Sequence, residues 1–279
     1  MLNEVAAAIR TLAPESNRLD EACATKMAQY LAVFGYLDGM KLITELPARI
    51  MAAQQVLQVE ADGYVGEETY KAARKKPRCG NPDVQRIGGV PDQWLRQKAT
   101  SGEGITYHFR RYVNGLSPER QEQNAVDWLT LWEKVSGVKF HRLRSDAADI
   151  IYDASASRQE EFGTVGNVLA WAYKPNGHQH TSQLLCKFDL AENWTVQLHS
   201  DTGCHETGHL LGLDHTQIPR ELMFPSIQEG VHGPGPRYDI PQAQGRYGQP
   251  ANVPVPSPTP SGVNIGGTIN GVNYALQKV

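Results

Sequence analysis

The stretch CHETGHLLGLDH, residues 204–215, sets three histidines and a glutamate at intervals that a single helical turn and a chain reversal would bring together. His205 and His209 are four apart, so on an α-helix both imidazoles lie on one face and can grip one ion. Glu206 is displaced around the helix, close enough to address a metal-bound water without being a ligand. Gly212 lacks a Cβ and can adopt the left-handed conformation that stops a helix and turns the chain back. That reversal lets His215 approach as a third ligand. Three histidines leave one position of a tetrahedral zinc open, which is the catalytic rather than the structural arrangement. Ordinary surface histidines are the competing explanation, and five fixed positions in H-E-x-x-H-x-x-G-x-x-H make it a poor one.

The rest of the chain supplies a scaffold for such a site. Its 279 residues allow one large domain or two modest ones, and 40% hydrophobic with 20% charged residues suits a globular protein. A net charge of -3 gives no reason to expect nucleic acid or an anionic membrane as partner. No apolar run approaches the roughly 20 residues of a membrane span. Glu4 and Arg10 interrupt the apolar stretch that an N-terminal secretion signal requires.

Four zones follow from pattern and composition. Residues 1–76 read as short helices, with Met27, Leu31 and Phe34, then Ile50, Ala53 and Leu57, at helical spacing. Residues 77–104 join them to the next zone and hold the lone thiol Cys79 in PRCGNPD. Residues 105–248 alternate strands (ITYHF, VKFHRL, ADIIYD, VLAWAYK, QLLCKFD) with a helix over SPERQEQNAVDWLTLWEKVSG, for which Ser117 is the cap and Pro118 opens the first turn. Residues 249–279 form a Pro-rich linker and short tail, with one small hairpin expected around Asn270-Gly271. The fold class expected is α+β: a small helical domain, then a mixed twisted sheet carrying the histidine helix.

Several of these segments carry resemblances. Gln54, Asp62, Gly63, Gly66 and Thr69 match the helix, D-G-x-x-G turn and T-led helix of a peptidoglycan-binding-like repeat. The zinc motif with Met223, eight residues beyond His215, resembles the metzincins, in which such a methionine floors the metal site. Within that clan PRCGNPD, ITYHF, ADIIYD, NVLAWAYKPNG, CKFDLAENWT, LMFPSI and YDIPQAQGRYG make the chain look like a matrixin, the matrix metalloproteinase type. The resemblance implies a latent zinc endopeptidase acting on protein or peptide substrates. Its propeptide is the peptidoglycan-binding-like helices, Cys79 fills the fourth zinc position in the zymogen, and Arg78 pairs with Asp83 to brace that loop. Glu206 is then the base that takes a proton from water and returns it to the leaving amine. Substrate is expected along Leu169, Ala170 and Trp171, with its P1′ side chain against Pro225, Ser226 and Ile227. An extracellular setting and a monomer are expected.

The match also has gaps. The family's second, structural zinc needs histidines where Trp171 and Lys187 stand, and no H-x-D occurs in DASASRQEEFGTVG, so one catalytic zinc is expected. His178 and His180 read as solvated loop residues rather than a replacement site, and no residues are assignable to calcium. By strand alternation Cys186 turns from the side that Lys187 occupies towards the active-site helix, predicting that Cys186 and Cys204 are neighbours able to form a disulfide, with Cys23 buried among the N-terminal helices. Activating cleavage is expected in the polar, glycine-bearing stretch between Asp83 and Ile105, giving a mature start between Gly89 and Thr100. Two other classes compete: a peptidoglycan-binding protein associated with cell walls through the N-terminal helices, and a zinc-dependent cell-wall hydrolase.

Overall fold

The N-terminal helices are α1 (Leu2–Leu12), α2 (Glu21–Val33), α3 (Leu46–Leu57) and α4 (Glu67–Lys75). The computed structural model describes residues 1–84, 93–155, 166–175 and 183–250, with the backbone of two short strands at 267–269 and 272–274. Asp20 starts α2 by accepting from the Cys23 amide. Met27, Leu31, Phe34, Ile50, Ala53 and Leu57 are all buried in one cluster. The turn between α3 and α4 is organised by buried Gln54. Its Nε2 donates to Asp62 Oδ1 (2.7 Å), Tyr64 O (3.0 Å) and Thr69 Oγ1 (3.2 Å), and its Oε1 accepts from the Gly63 amide at 3.0 Å. The motif residues are therefore a self-satisfied polar network inside an apolar shell.

From residue 78 the elements are β1 (Arg78–Cys79), α5 (Gln93–Ser101), β2 (Ile105–Phe109), α6 (Pro118–Val135), β3 (Phe140–Arg142), β4 (Ile150–Ser155), β5 (Val168–Ala172), β6 (Leu184–Asp189), α7 (Val196–Leu210) and α8 (Asp239–Tyr247). They make an α+β domain around a mixed sheet ordered β1-β5-β6-β4-β2-β3, in which only β5 and β6 pair antiparallel. Ser117 caps α6 through the Arg120 amide and Pro118 follows it. Two more strands, β7 (Gly267–Ile269) and β8 (Val272–Tyr274), pair antiparallel as a hairpin requires, while Asn270 and Gly271 lie outside the described residues.

Helices α6 and α7 pack on each other, and α7 packs on β5 and β6. Glycines in α7 allow this. A Cβ on Gly203 would stand 2.5 Å from the Trp128 ring, and one on Gly208 would stand 2.3 Å from Met223 Sδ. A glycine costs a helix interior about 1 kcal/mol. Here that loss admits the two large buried side chains Trp128 and Trp132 against the histidine-bearing helix.

Two sequence expectations are corrected. Residues 93–101 are not an open activation stretch but helix α5, whose Leu95 and Ala99 are buried in the core of the sheet domain and whose Lys98 Nζ meets Asp149 Oδ1 at 2.6 Å. The remaining residues 85–92, and likewise His178 and His180, lie outside the described residues. The cysteines are all free. Cys186 does face α7, but it meets the side bearing Glu206, whereas Cys204 Sγ lies 4.0 Å from Trp128 O on α6. Positions 204 and 206 differ by about 200° around a helix, so facing α7 does not mean facing Cys204. Cys23 is half-buried rather than fully enclosed.

One buried group makes α7 sensitive to acid. His199 has no exposed surface, its Nδ1 accepts from Asn124 Nδ2 at 3.1 Å, and its Nε2, beside Trp128, Phe188 and Trp194, has no hydrogen-bond partner among the described residues. Burial alone lowers its pKa to about 4. The unfolded chain takes up a proton near pH 6.5 that the folded chain refuses until about 4. Stability should therefore fall by about 3 kcal/mol as pH drops across that interval. Urea denaturation at pH 7.5 and pH 4.5 should show a smaller loss in His199→Leu than in the wild type; equal losses would remove His199 as the cause.

Candidate metal centre

Helix α7 begins at Thr195, whose side chain accepts from the Leu198 amide, and it presents His205 and His209 one turn apart. The helix stops where Gly212 takes φ +86°, with its amide on His209 O (2.8 Å) and that of Leu213 on Gly208 O (2.9 Å). The reversal carries His215 back as the spacing predicts. His215 Nε2 lies 3.2 Å from His205 Nε2 and 3.1 Å from His209 Nε2.

Hydrogen bonds at the outer ring nitrogens fix the tautomers of His205 and His209. His205 Nδ1 donates to Leu222 O (2.6 Å), His209 Nδ1 donates to Leu213 O (2.8 Å), and His215 Nδ1 faces Asp83 Oδ1 at 3.2 Å. With those protons outward, three Nε2 lone pairs point at one another inside the protein. Burial lowers all three imidazole pKa values, that of His205 to about 3, so each ring is neutral. Three converging lone pairs without a proton to share suit a cation, and neutral imidazoles are what a metal binds. The donor atoms of Cys79, His205, His209 and His215 all lie within 4.8 Å of one another. Burial, reinforced by Glu206, pushes the Cys79 thiol well above its usual range. A bound cation would reverse that, because coordination deprotonates a thiol. An N3S set of this kind fits zinc.

Beneath the histidines Met223 is fully buried, filling the space that Gly208 leaves open. Its turn is held by Asp239, a residue that sequence reading missed. The Asp239 carboxylate accepts from the amides of Leu222 (2.6 Å), Met223 (3.2 Å) and Gly235 (2.8 Å). Glu221 in turn accepts from the amides of Arg237, Tyr238 and Asp239, covering the start of α8. Acids in ELMFPSI and RYDIP are plain in the sequence, but nothing local says that they cross-tie the two segments.

Glu206 is wholly buried, and neither of its carboxylate oxygens has a hydrogen-bond partner among the described residues. Burial raises its pKa to about 8, with the neighbouring Cys79 thiol opposing the shift. The PRCGNPD segment runs through the groove between β5 and residues 225–227. Arg78 N donates to Asn167 O (2.8 Å), Gly80 N to Ala170 O (2.7 Å), Cys79 N to Pro225 O (2.9 Å) and Ile227 N to Pro77 O (3.0 Å). Thus Ala170, Pro225 and Ile227 bind this segment through backbone, Leu169 is buried in the core, and Trp171 packs towards the N-terminal cluster. Gly80 is required there, since a Cβ would stand 2.8 Å from Val168 Cγ1. Asn81, also missed, pairs with β5 through its amide: Nδ2 donates to Ala172 O at 2.9 Å, and Oδ1 accepts from the Ala172 amide at 3.3 Å.

Arg78 and Asp83 form a buried ion pair, with the guanidinium 3.5 Å from the Phe34 ring centroid and also bonded to Tyr30 Oη. Tyr36, on the N-terminal side as well, donates to Asp83 Oδ2 at 2.5 Å. At the other candidate position Trp171 and Lys187 are cross-strand partners, with the ammonium 5.4 Å from the indole centroid. Lys187 also lies in register with Asp153, which Arg111 holds through both carboxylate oxygens at 2.7 Å.

Comparison with known proteins agrees with this geometry. The matrixin family model matches residues 93–247. Neutrophil collagenase from Homo sapiens is 30% identical over 230 residues, covering 77% of this chain and 46% of the collagenase. Stromelysin-1 from Mus musculus is 29% identical over 230 residues (76% and 46%), and macrophage metalloelastase from Oryctolagus cuniculus 28% over 189 residues (64% and 38%). The chain spans less than half the length of these relatives.

Asp239 gives a direct stability test. Replacing it with Ala orphans three amides around the methionine turn, a loss of about 3 kcal/mol. Urea titration of Asp239→Ala beside Asp239→Asn should show the larger loss for Ala, which retains no acceptor.

Proposed function

The chain belongs to the matrixin family, and from that premise we propose that it is a latent zinc-dependent endopeptidase, blocked by Cys79 and served by Glu206 as base. The observation that carries this reading is the convergence of the Cys79 sulfur with three histidine nitrogens inside 4.8 Å. His205, His209 and His215 would hold the metal throughout, and Cys79 would join them in the zymogen. Zinc at that position supplies Lewis acidity, polarising a carbonyl and acidifying water.

The chain's own groups do the remainder. Beyond the neighbouring Cys79 thiol, which leaves with the segment, the Glu206 oxygens have no hydrogen-bond partner among the described residues, so the carboxylate is free to accept a proton from water and return it to the leaving amine. Backbone groups of β5 and of residues 225–227, used by residues 77–80 in the latent form, become available to an extended substrate once that segment leaves. Three contacts oppose its departure: Asp83 on His215 Nδ1, the Asn81 amide on Ala172, and the N-terminal cluster that includes Val168 of β5. We place the activating cut before α5, since a cut within that helix would withdraw Leu95 or Ala99 from the core.

Glu206→Gln should retain its metal while losing at least about a thousandfold in kcat, because only the base is removed. Elemental analysis should give one zinc per chain for both proteins, and two would count against the assignment at Trp171 and Lys187. Cys79→Ser should be processed faster than wild type, as a hydroxyl is the weaker ligand. Cleavage of an unfolded protein before and after a thiol-reactive agent reads latency directly: full activity with Cys79 unmodified would overturn it.

A further inference from the structure

Beside His205 a small recess, partly open to solvent, lies between α7 and the 225–231 segment, and its lining includes Asp201, Leu222, Ser226, Ile227 and Val231. Asp201 lies one turn before His205 on the same face of the helix, about 6 Å along its axis. Leu222, Ile227 and Val231 make the aliphatic part of the wall. Two polar groups within it are incompletely used.

The first is the Asp201 carboxylate. Its basic partner among the described residues is His232, whose Nδ1 lies 3.1 Å from both oxygens, and Gln197 Nε2 adds one bond to Oδ1 at 2.7 Å. An ionised carboxylate has about four acceptor sites, and these two donors leave part of that capacity unused. The second is Ser226 Oγ, which is buried on a residue 5% exposed and has no hydrogen-bond partner among the described residues. Glu221 and Gln228 also border the recess but are committed elsewhere. Glu221 takes three backbone amides and the Arg237 side chain, and Gln228 joins the Arg220 amide to Glu221 O.

We propose that this recess takes a basic side chain, with Asp201 as the residue that selects lysine or arginine immediately after the scissile bond. The stem of such a side chain would lie along Leu222, Ile227 and Val231, and its charged head would reach Asp201 with Ser226 Oγ as a further acceptor. A four-carbon stem spans the one turn that separates Asp201 from the metal-binding His205. An apolar side chain of equal length would fill the same walls but leave a carboxylate and a hydroxyl desolvated without a partner. Burial raises the pKa of Asp201, which is the condition a cation entering the recess relieves.

The inference rests on the endopeptidase reading, and the test separates the two. The full-length protein, treated with a thiol-reactive agent to displace Cys79, is incubated with a peptide library made by cleavage after acidic residues. New N-termini are then identified by mass spectrometry for wild type, Asp201→Asn and Asp201→Leu. Wild type should show lysine and arginine enriched at the new N-terminus, and a matched peptide pair should favour lysine over norleucine on the order of tenfold or more in kcat/KM. Asp201→Asn, which keeps the shape of the side chain, should lose that preference, and Asp201→Leu should move enrichment to apolar residues. Cleavage led by apolar residues in wild type, or basic preference surviving in both variants, overturns the assignment of Asp201 while leaving the endopeptidase intact. If none of the three proteins generates new N-termini, the endopeptidase reading falls and the inference with it.

Discussion

Three neutral imidazoles, with the Nε2 atoms of His205 and His209 3.2 and 3.1 Å from that of His215, are the constraint on which the sheet domain is built. Such an arrangement is unfavourable unless something holds each ring and a cation completes the set. The holding groups come from separate places. Leu222 O and Leu213 O fix two rings, Gly212 aims the third, and Met223 fills the floor under Gly208. Asp239 then ties the carbonyl of Leu222 in place by binding the amide of the same residue. The buried acids at 221 and 239 are thus not spare charge; each satisfies backbone amides that position a metal-ligand support.

The second dependency runs through Asp83. It meets the Arg78 guanidinium, the Tyr36 hydroxyl and the outer face of His215, so the N-terminal helices and a histidine of the metal centre share one carboxylate. Arg78 keeps its charge in spite of complete burial because Asp83 and the Phe34 and Tyr30 rings replace water. A buried pair of this type is poor at adding net stability but costly to break on one side. That property suits a latch, since the segment is either fully docked or expelled.

The histidine cluster was legible in the sequence because its information is local. Spacing of four on a helix, one glycine and a short reversal put three ligands together within eleven residues. Cys79 and the Arg78–Asp83 pair were legible only through family resemblance, as nothing in their spacing points 126 residues ahead to His205. What stayed hidden was long-range and carried by single side chains: Asp239 on the methionine turn, Asn81 on Ala172, and Asp201 at the recess. The misplaced Cys186–Cys204 neighbourhood has the same origin. Strand alternation says which face a residue occupies, but the rotation of the opposing helix decides what it meets. Helix α5 was missed because its stretch is polar and short, and only packing of Leu95 and Ala99 on the domain shows it to be helical.

These contacts bear on how the proposed latency would be relieved. Loss of the thiol from the metal removes one of several attachments. The backbone bonds of Arg78, Cys79 and Gly80, the Asn81 amide on β5, and Val168 and Trp171 packed on the N-terminal cluster all persist. The thiol is itself buried, so a reagent reaches it only when the segment has already opened. Opening is therefore the step that controls access to both the sulfur and the groove, and the docking surface sets its frequency. A cut between Val84 and α5 changes this, because it turns an intramolecular plug into a separate chain that dilution can remove. Chemical displacement and proteolysis then act on one equilibrium: the first captures the open form, and the second prevents it from closing.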